Sequence, residues 1–371
     1  MTLSSESSSE LIHALRSDPA TLPTSLFGLP GEPPHERVLL VADEQTGLKA
    51  FIAVHSTARG PAFGGCRFWR YDNELAALND ALRLSQGMSL KNALADLPFG
   101  GGKAVIIKPA GEFDRPALFS AFGRAVQSLS GVYITAEDVG TTTDDMLGMR
   151  EHTAFVSGIP RDGSFGGDPS PKTAWGVFVA IKAGVRAHLQ RDSLDGVRVG
   201  LQGLGAVGWH LAGFLHLEGA KLVVADVDAG RVKRAQEVFN ADAVPADEII
   251  GADVDVLAPC ALGAVFDERS VPKVRARLIG GAANNQLAKP DDGDALHQRG
   301  ILYLPDYLIN AGGIVSVARE YRNEGDEQMV MAEVTRIGER VDELLQRAAS
   351  SGLPPAREAD AWARSKLVRP D

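Results

Sequence analysis

Apolar positions along the chain follow two rhythms, and they change near residue 170. In the first part, RVLLVADEQTGLKAFIAVHS (37–56) holds two β-rich runs around DEQTG, the signature of a hairpin. Leu75, Leu78, Leu82 and Met88 then mark a rough helical face over Glu74–Met88. GGKAVIIKP (101–109) reads as a buried strand, and DRPALFSAFGRAVQSL (114–129) as a helix with Asp114 as N-cap and Pro116 in its first turn. GVYITAEDVGTT (131–142) is a strand running into a loop. Beyond residue 170 the alternation becomes regular. SPKTAWGVFVAIKAGVRAHL (170–189) predicts a long connecting helix, and residues 197–228 read strand, glycine-rich turn, helix, strand. VDVLAPCA, ARLIGGAANN and GILYLPDY add short β-rich pieces, as a doubly wound parallel sheet requires. Glu327–Ser350 has the period of one amphipathic helix.

The expected organisation is therefore α/β with two domains and a cleft between them. Residues 1–33, rich in Ser, Glu and Pro, form a mobile arm with room for one short helix. Residues 34–165 make an α/β catalytic domain and 166–325 a Rossmann-type nucleotide-binding domain. Helices over 326–371 pack back toward the catalytic domain. A length of 371 residues suits two cores. The net charge of -10 argues against nucleic acid as the main partner. Two distant cysteines, Cys66 and Cys260, give neither a disulfide framework nor a zinc spacing, and the eight histidines show no ligand-like pairing, so no metal is expected. The N-terminal MTLSSESSSELIHALRSDPA lacks the basic and apolar regions of a leader, and no apolar run suffices for a membrane span. The expected location is the cytoplasm.

Two glycine-rich motifs carry the chemistry. LPFGGGKAVI (97–106) is not a phosphate loop: Leu97 stands where that loop needs glycine, and Ala104 where it needs Ser or Thr. Three consecutive glycines are entropically costly, so the reading is that a small ligand approaches this backbone, with Lys103 beside it. Gly203-Leu-Gly205-Ala206-Val207-Gly208 follows a strand and opens a helix, the context that a dinucleotide fingerprint demands. Asp226 ends the next strand, 18 residues after Gly208, where a carboxylate accepts ribose hydroxyls and repels a 2′-phosphate. The cofactor is thus expected to be NAD rather than NADP. Lys91 and Lys103 stand twelve residues apart, and Asp138 follows in TAEDVGTTTDD. Two neighbouring ammonium groups would depress each other's pKa, fitting one for proton work near neutrality. Taken alone, Lys91 reads as an ordinary surface charge.

The segments GPAFGGCRFWRY, DALRLSQGMSLKNALADLPFGGGKAVI, YITAEDVGTT, GDPSPKTAWGVF, QGLGAVG, GAANNQL and PDYLINAGGIVSVARE resemble, in order, the glutamate/leucine/phenylalanine/valine dehydrogenase family. They look most like its leucine and phenylalanine branch, over about Val38 to Arg319. The resemblance implies NAD-dependent, reversible oxidative deamination of an L-amino acid to the 2-oxo acid and ammonia. It implies that Lys91 binds the substrate carboxylate, Lys103 is the catalytic lysine and Asp138 the general acid/base. Gly64 and Gly65 would let substrate lie against bare backbone, and Asn310 would orient substrate and the nicotinamide carboxamide. Thr173, Ala283, Asn284 and Asn285 would touch the cofactor with the fingerprint loop. Phe63, Met88, Ala136, Ile314 and Val317 would line the side-chain pocket, with Ser157 near its end. None of these is charged, which disfavours glutamate. Ala136 with Val317 looks like the leucine/valine type; Phe63 departs from it, and its ring would shrink or reshape the pocket. The expected substrate is a branched-chain amino acid. Phenylalanine dehydrogenase, and a non-catalytic sensor of nucleotide and amino acid, are the alternatives. Amphipathic edges and the resemblance also imply a homo-oligomer.

Overall fold

The computed structural model describes residues 26–29, 32–159, 167–261, 263 and 265–367. The expected N-terminal arm and its short helix lie outside the described residues, apart from 26–29 and 32–33. The described residues form two compact units. The first takes in those up to Ser89 together with Pro98–Ile159; the second takes in Leu90–Leu97 and those from Gly167 onward.

The first unit is built on a mixed sheet. The hairpin β1 (Arg37–Asp43) and β2 (Leu48–Ser56) forms as its pattern predicts, with Val41 opposite Ala50. Then come β3 (Ala62–Phe63), β4 (Cys66–Trp69), α1 (Glu74–Leu94), β5 (Gly100–Ile107), α2 (Arg115–Ser128), β6 (Tyr133–Ile134) and α3 (Thr143–Arg150). The strand order is β1-β2-β5-β3-β6, with β4 also paired to β5. Alternation along β2 and β5 separates two cores. Ile52, Val54, Ala104 and Ile106 pack with Leu118, Phe119 and Phe122 of α2 and Met146 and Met149 of α3. Phe51, Ala53 and Val105 pack with Ala77, Leu78, Ala81 and Leu82 of α1. Burying each large apolar side chain contributes about 1.5–3 kcal/mol, so both faces of β5 are anchored. As expected, Asp114 caps α2, accepting from Ala117 N–H.

The three glycines of β5 serve a purpose other than the expected one. A Cβ on Gly100 would fall on the Ser56 carbonyl, and one on Gly101 on the backbone nitrogen and hydroxyl of Ser89 in α1. One on Gly102 would lie 2.7 Å from the Tyr133 ring. The protein itself fills the space that the missing side chains leave: neighbouring strands and a helix press closely on β5.

The second unit begins with α4 (Ser170–Gly184), which continues as a π turn through Leu189. There follow β7 (Arg198–Gln202), α5 (Ala206–Leu217), β8 (Lys221–Ala225), α6 (Ala229–Phe239), β9 (Asp242–Ala243), β10 (Val256–Pro259), β11 (Leu278–Ile279), α7 (Pro290–Gln298) and β12 (Leu302–Tyr303). The six strands are all parallel in the order β12-β11-β10-β7-β8-β9. From β7 the chain winds outward to β9, then restarts at β10 on the other side of β7. This is the dinucleotide-fold order, with its topological switch between β7 and β10.

After β12 come α8 (Asp306–Ile309), α9 (Gly312–Arg322), α10 (Glu327–Thr335), α11 (Ile337–Ser351) and α12 (Pro355–Ser365). The single helix expected over Glu327–Ser350 is thus two helices, broken at Arg336. The Thr335 hydroxyl donates back to the Met331 carbonyl, a bond that bends helices, and accepts from Trp175 of α4. In α11, Ile337, Val341 and Leu344 form the buried stripe. That helix packs along α4, while α12 packs on α7 and α11. Arg340 donates to the Ala95 carbonyl and Lys366 pairs with Asp96 at 2.6 Å, tying these helices to Leu90–Leu97.

Candidate active site

In the first unit, Lys103 lies on the α1 side of β5, in step with Val105. Its Nζ stands 2.5 Å from Oδ2 of Asp138. Lys103 is only 6% exposed and the Asp138 side chain 18%. Asp138 sits in the loop after β6, fixed through its backbone: its N–H donates to the Thr141 hydroxyl, and its carbonyl accepts from both Thr141 N–H and Thr141 Oγ1. Burial alone would raise the Asp138 carboxyl; the charges of Lys103 and then Arg67 outweigh it, and the pKa is lowered. The neighbour set against Lys103 is therefore a carboxylate.

The second cation beside Asp138 is Arg67, with Nε 3.6 Å from Oδ2. The sequence reading did not single it out. Its signal lay in β4, where Cys66 and Phe68 join the α2-side core and Arg67, between them, must face α1. Gly65 lies against the same carboxylate: a Cβ there would come 2.9 Å from Asp138 Cβ. A Cβ on Gly64 would strike the Gly102 carbonyl and come 3.0 Å from Met88 Cγ. Tyr133 donates its hydroxyl to the Gly64 carbonyl at 2.7 Å.

In the second unit, the turn after β7 has Gly203 at φ +94°, where a Cβ would be strained and 3.0 Å from Ala261. A Cβ on Gly208 would strike the Gly203 carbonyl, whereas Gly205 faces open space. Gly205 caps α5 and offers no side chain, so the helix's first N–H groups remain for an anion. Asp226, at the end of β8, accepts from Leu204 N–H at 2.6 Å and from Asp228 N–H at 2.8 Å. Its carboxylate thus fastens the turn and keeps further acceptor capacity.

Lys91, Asn284 and Asn310 converge in this unit. Asn284 Oδ1 accepts from Lys91 Nζ and from Asn310 Nδ2, each at 2.9 Å. Asn310 Nδ2 also donates to the Ala282 carbonyl, while its Oδ1 is buried without a hydrogen-bond partner among the described residues. A buried carbonyl oxygen left in this state suits a ligand amide. Asn285, at φ +51°, donates its N–H to Asp306. Burial raises the Asp306 carboxyl, against the Tyr303 hydroxyl and the Lys91 charge, which pull the other way. Thr173, in the first turn of α4, bonds to the Pro169 carbonyl, and a Cβ on Gly313 would lie 2.7 Å from its hydroxyl. Ala283 N–H donates to the Pro259 carbonyl, next to the switch point. The residues present fit NAD: a bare helix start for the pyrophosphate, Asp226 for ribose hydroxyls and the Asn310 oxygen for a carboxamide.

The expected pocket residues divide between the units. Phe63 is fully buried, its ring 4.9 Å from that of Phe99; Ala136 and Ser157 are buried, and Met88 is half-buried. In α9, Ile314 and Val317 are half-buried one turn apart, while Val315 and Ala318 are buried. Among the described residues, no three His, Cys, Asp or Glu are grouped to hold a metal ion, and no helix is long and apolar enough to cross a membrane.

Residues 35–155 match the Glu/Leu/Phe/Val dehydrogenase dimerisation domain, and 224–366 match the glutamate/leucine/phenylalanine/valine dehydrogenase domain. The chain belongs to the Glu/Leu/Phe/Val dehydrogenase family. The leucine dehydrogenase of Geobacillus stearothermophilus is 44% identical over 333 residues, 90% of each chain. The valine dehydrogenase of Streptomyces virginiae is 44% identical over 90% of this chain and 94% of its own. The structure of L-tryptophan dehydrogenase from Nostoc punctiforme superposes with a TM-score of 0.76 at 40% identity, covering 90% of this chain and 96% of that one. The protein is an amino acid dehydrogenase with NAD as its cofactor, and its second unit has the Rossmann-type order seen above.

Proposed function

We propose that this dehydrogenase catalyses the reversible, NAD-dependent oxidative deamination of a branched-chain L-amino acid to its 2-oxo acid and ammonia. The observation that carries this reading is the Lys103–Asp138 pair, an ammonium and a carboxylate 2.5 Å apart with Arg67 behind them. The 44% identity to leucine and valine dehydrogenases supports the substrate class. So does the absence of charge from Phe63, Met88, Ala136, Ile314 and Val317: a glutamate side chain would find no cation among them.

Lys91 holds the substrate carboxylate, releasing Asn284 to its bond with Asn310. Asp138, kept ionised, takes a proton from the substrate ammonium group. NAD, held by the Gly203–Gly208 turn, Asp226, Thr173 and Ala283–Asn285, supplies the acceptor for the hydride that leaves Cα. The carbon–nitrogen bond of the oxidised substrate is then open to water. Lys103 takes a proton from the attacking water, Asp138 returns its proton to nitrogen, and as ammonia departs Asp138 accepts the proton of the remaining hydroxyl, which leaves the 2-oxo acid. Asn310 orients the amide and polar groups that reach its free oxygen. The match to a dimerisation domain over 35–155 supports a homo-oligomer.

The test is NADH formation, followed by absorbance, from L-leucine, L-valine, L-isoleucine, L-phenylalanine, L-tryptophan and L-glutamate. The three branched substrates should be used together, since one methylene is worth about 1–3 kcal/mol of discrimination, with glutamate inert. A dominant aromatic substrate would overturn the substrate class. Binding of NAD and leucine without NADH would establish a sensor instead.

A further inference from the structure

Beyond the residues that the reaction is built on, one chain of polar groups runs through the first unit to the Asp138 carboxylate. Arg67 Nη1 donates to Asp80 Oδ2 of α1 at 2.8 Å, and the Tyr71 hydroxyl donates to the same oxygen at 2.5 Å. At the other end of the guanidinium, Nε lies 3.6 Å from Asp138 Oδ2 and has no hydrogen-bond partner among the described residues. Arg67 thus spans two carboxylates, one on the helix and one in the reacting pair.

We propose that Arg67 is a positioning residue for the deamination, held by Asp80 and Tyr71 so that its guanidinium keeps Asp138 ionised and in place. This rests on the reading of Asp138 as the proton carrier. Lys103 cannot fill that role throughout, because a lysine must be neutral before it can take a proton from water. A guanidinium stays charged across the working range. Its hydrogen bond to Asp80 of α1, a carboxylate that the Tyr71 hydroxyl also holds, limits rotation of the guanidinium.

The other groups facing Asp138 do not duplicate this role. Cys66 of β4, its thiol pushed up to about 12 chiefly by burial, and Tyr133 of β6, its phenol raised well above the usual range by burial, are both neutral. Asp145 of α3 is beyond Cys66 and bonded to Arg115 at 2.7 Å. That leaves Lys103, Arg67 and, behind Arg67, Asp80 as the charges that set the carboxyl. Arg67 favours the ionised form, and Asp80, partly neutralising Arg67, works against it.

The two ends of the chain therefore make opposite predictions. The experiment measures kcat/KM for L-leucine against pH, at saturating NAD, in the wild type, Arg67→Met, Arg67→Lys and Asp80→Asn, with melting temperatures alongside. Activity falls as pH drops and the Lys103–Asp138 pair takes up a proton, so this acid limb reports the pair in the free enzyme. Arg67→Met should move the limb up by about one pH unit, a loss of about tenfold at a pH below it. Arg67→Lys should bring the limb back toward the wild type while kcat stays reduced. Asp80→Asn should move the limb down. Variants with lower melting temperatures and reduced kcat, but with the acid limb unmoved, would overturn the proposal. Should Arg67→Met not fold, the limb of Asp80→Asn decides by itself: lower supports, unmoved overturns. A wild type that makes no NADH from leucine would instead refute the underlying reading, before any variant is compared.

Discussion

Asp226 is a scaffold for the fingerprint turn and, on the proposed reading, the selector of the cofactor. Its two oxygens hold the N–H groups of Leu204 and Asp228, so the fingerprint turn is fastened to the end of β8 before any nucleotide arrives. In this fold an acid at the end of the second strand is where ribose hydroxyls are read. Arg231 Nη1 stands 3.9 Å from Asp226 Oδ2 on a half-exposed side chain. Removing the carboxylate therefore loses a hydroxyl acceptor, slackens the turn and leaves a cation behind. Asp226→Ala should raise the KM for NAD about tenfold, equivalent to about 1.4 kcal/mol, and narrow the preference over NADP. Steady-state kinetics with both cofactors check this; an unchanged ratio of the two would show that selection lies elsewhere.

At the scale of elements, the packing of α1 on β5 is the tightest constraint in the first unit. Ser89 of α1 sits where Gly101 would carry a Cβ, and its hydroxyl bonds to Nδ1 of His55 in β2 at 2.7 Å. Gly101→Ala would push the helix backbone off the strand and disturb that bond. It should cost about 1–3 kcal/mol, read as a lower denaturation midpoint, although the new methyl group touches no reacting residue. A variant as stable as the wild type would refute the packing reading. Here the sequence was legible in part. The rhythm of Leu75, Leu78 and Leu82 marked α1, the alternation in 37–56 marked the hairpin, and the fingerprint marked the β7–α5 turn. The glycines of 100–102 stood out, but single-chain spacing cannot say whether a ligand or the protein fills the room they leave. The strands β3 and β4, of two and four residues, were too short to show a period. Arg67 was hidden for the same reason, since only the pairing of β4 with the chain at residues 136–139 brings it to Asp138. The break at Arg336 escaped notice because the buried pattern runs through it, while the cause, the Thr335 hydroxyl, is a local bond.

For the whole molecule, the proposed chemistry is divided between two units with separate sheets. The first carries Lys103, Asp138 and Arg67 on a mixed sheet; the second carries the nucleotide turn, Lys91 and the asparagines on a parallel one. That division makes proton handling and cofactor binding separable by mutation. Lys103→Ala is the most direct test of the account. NADH formation from L-leucine should fall about 10²–10⁴-fold, the span typical of a lost acid–base group, while the NAD dissociation constant stays at its wild-type value. Retained turnover, or a loss of NAD affinity large enough to explain the fall, would contradict the assignment of Lys103 to the reaction.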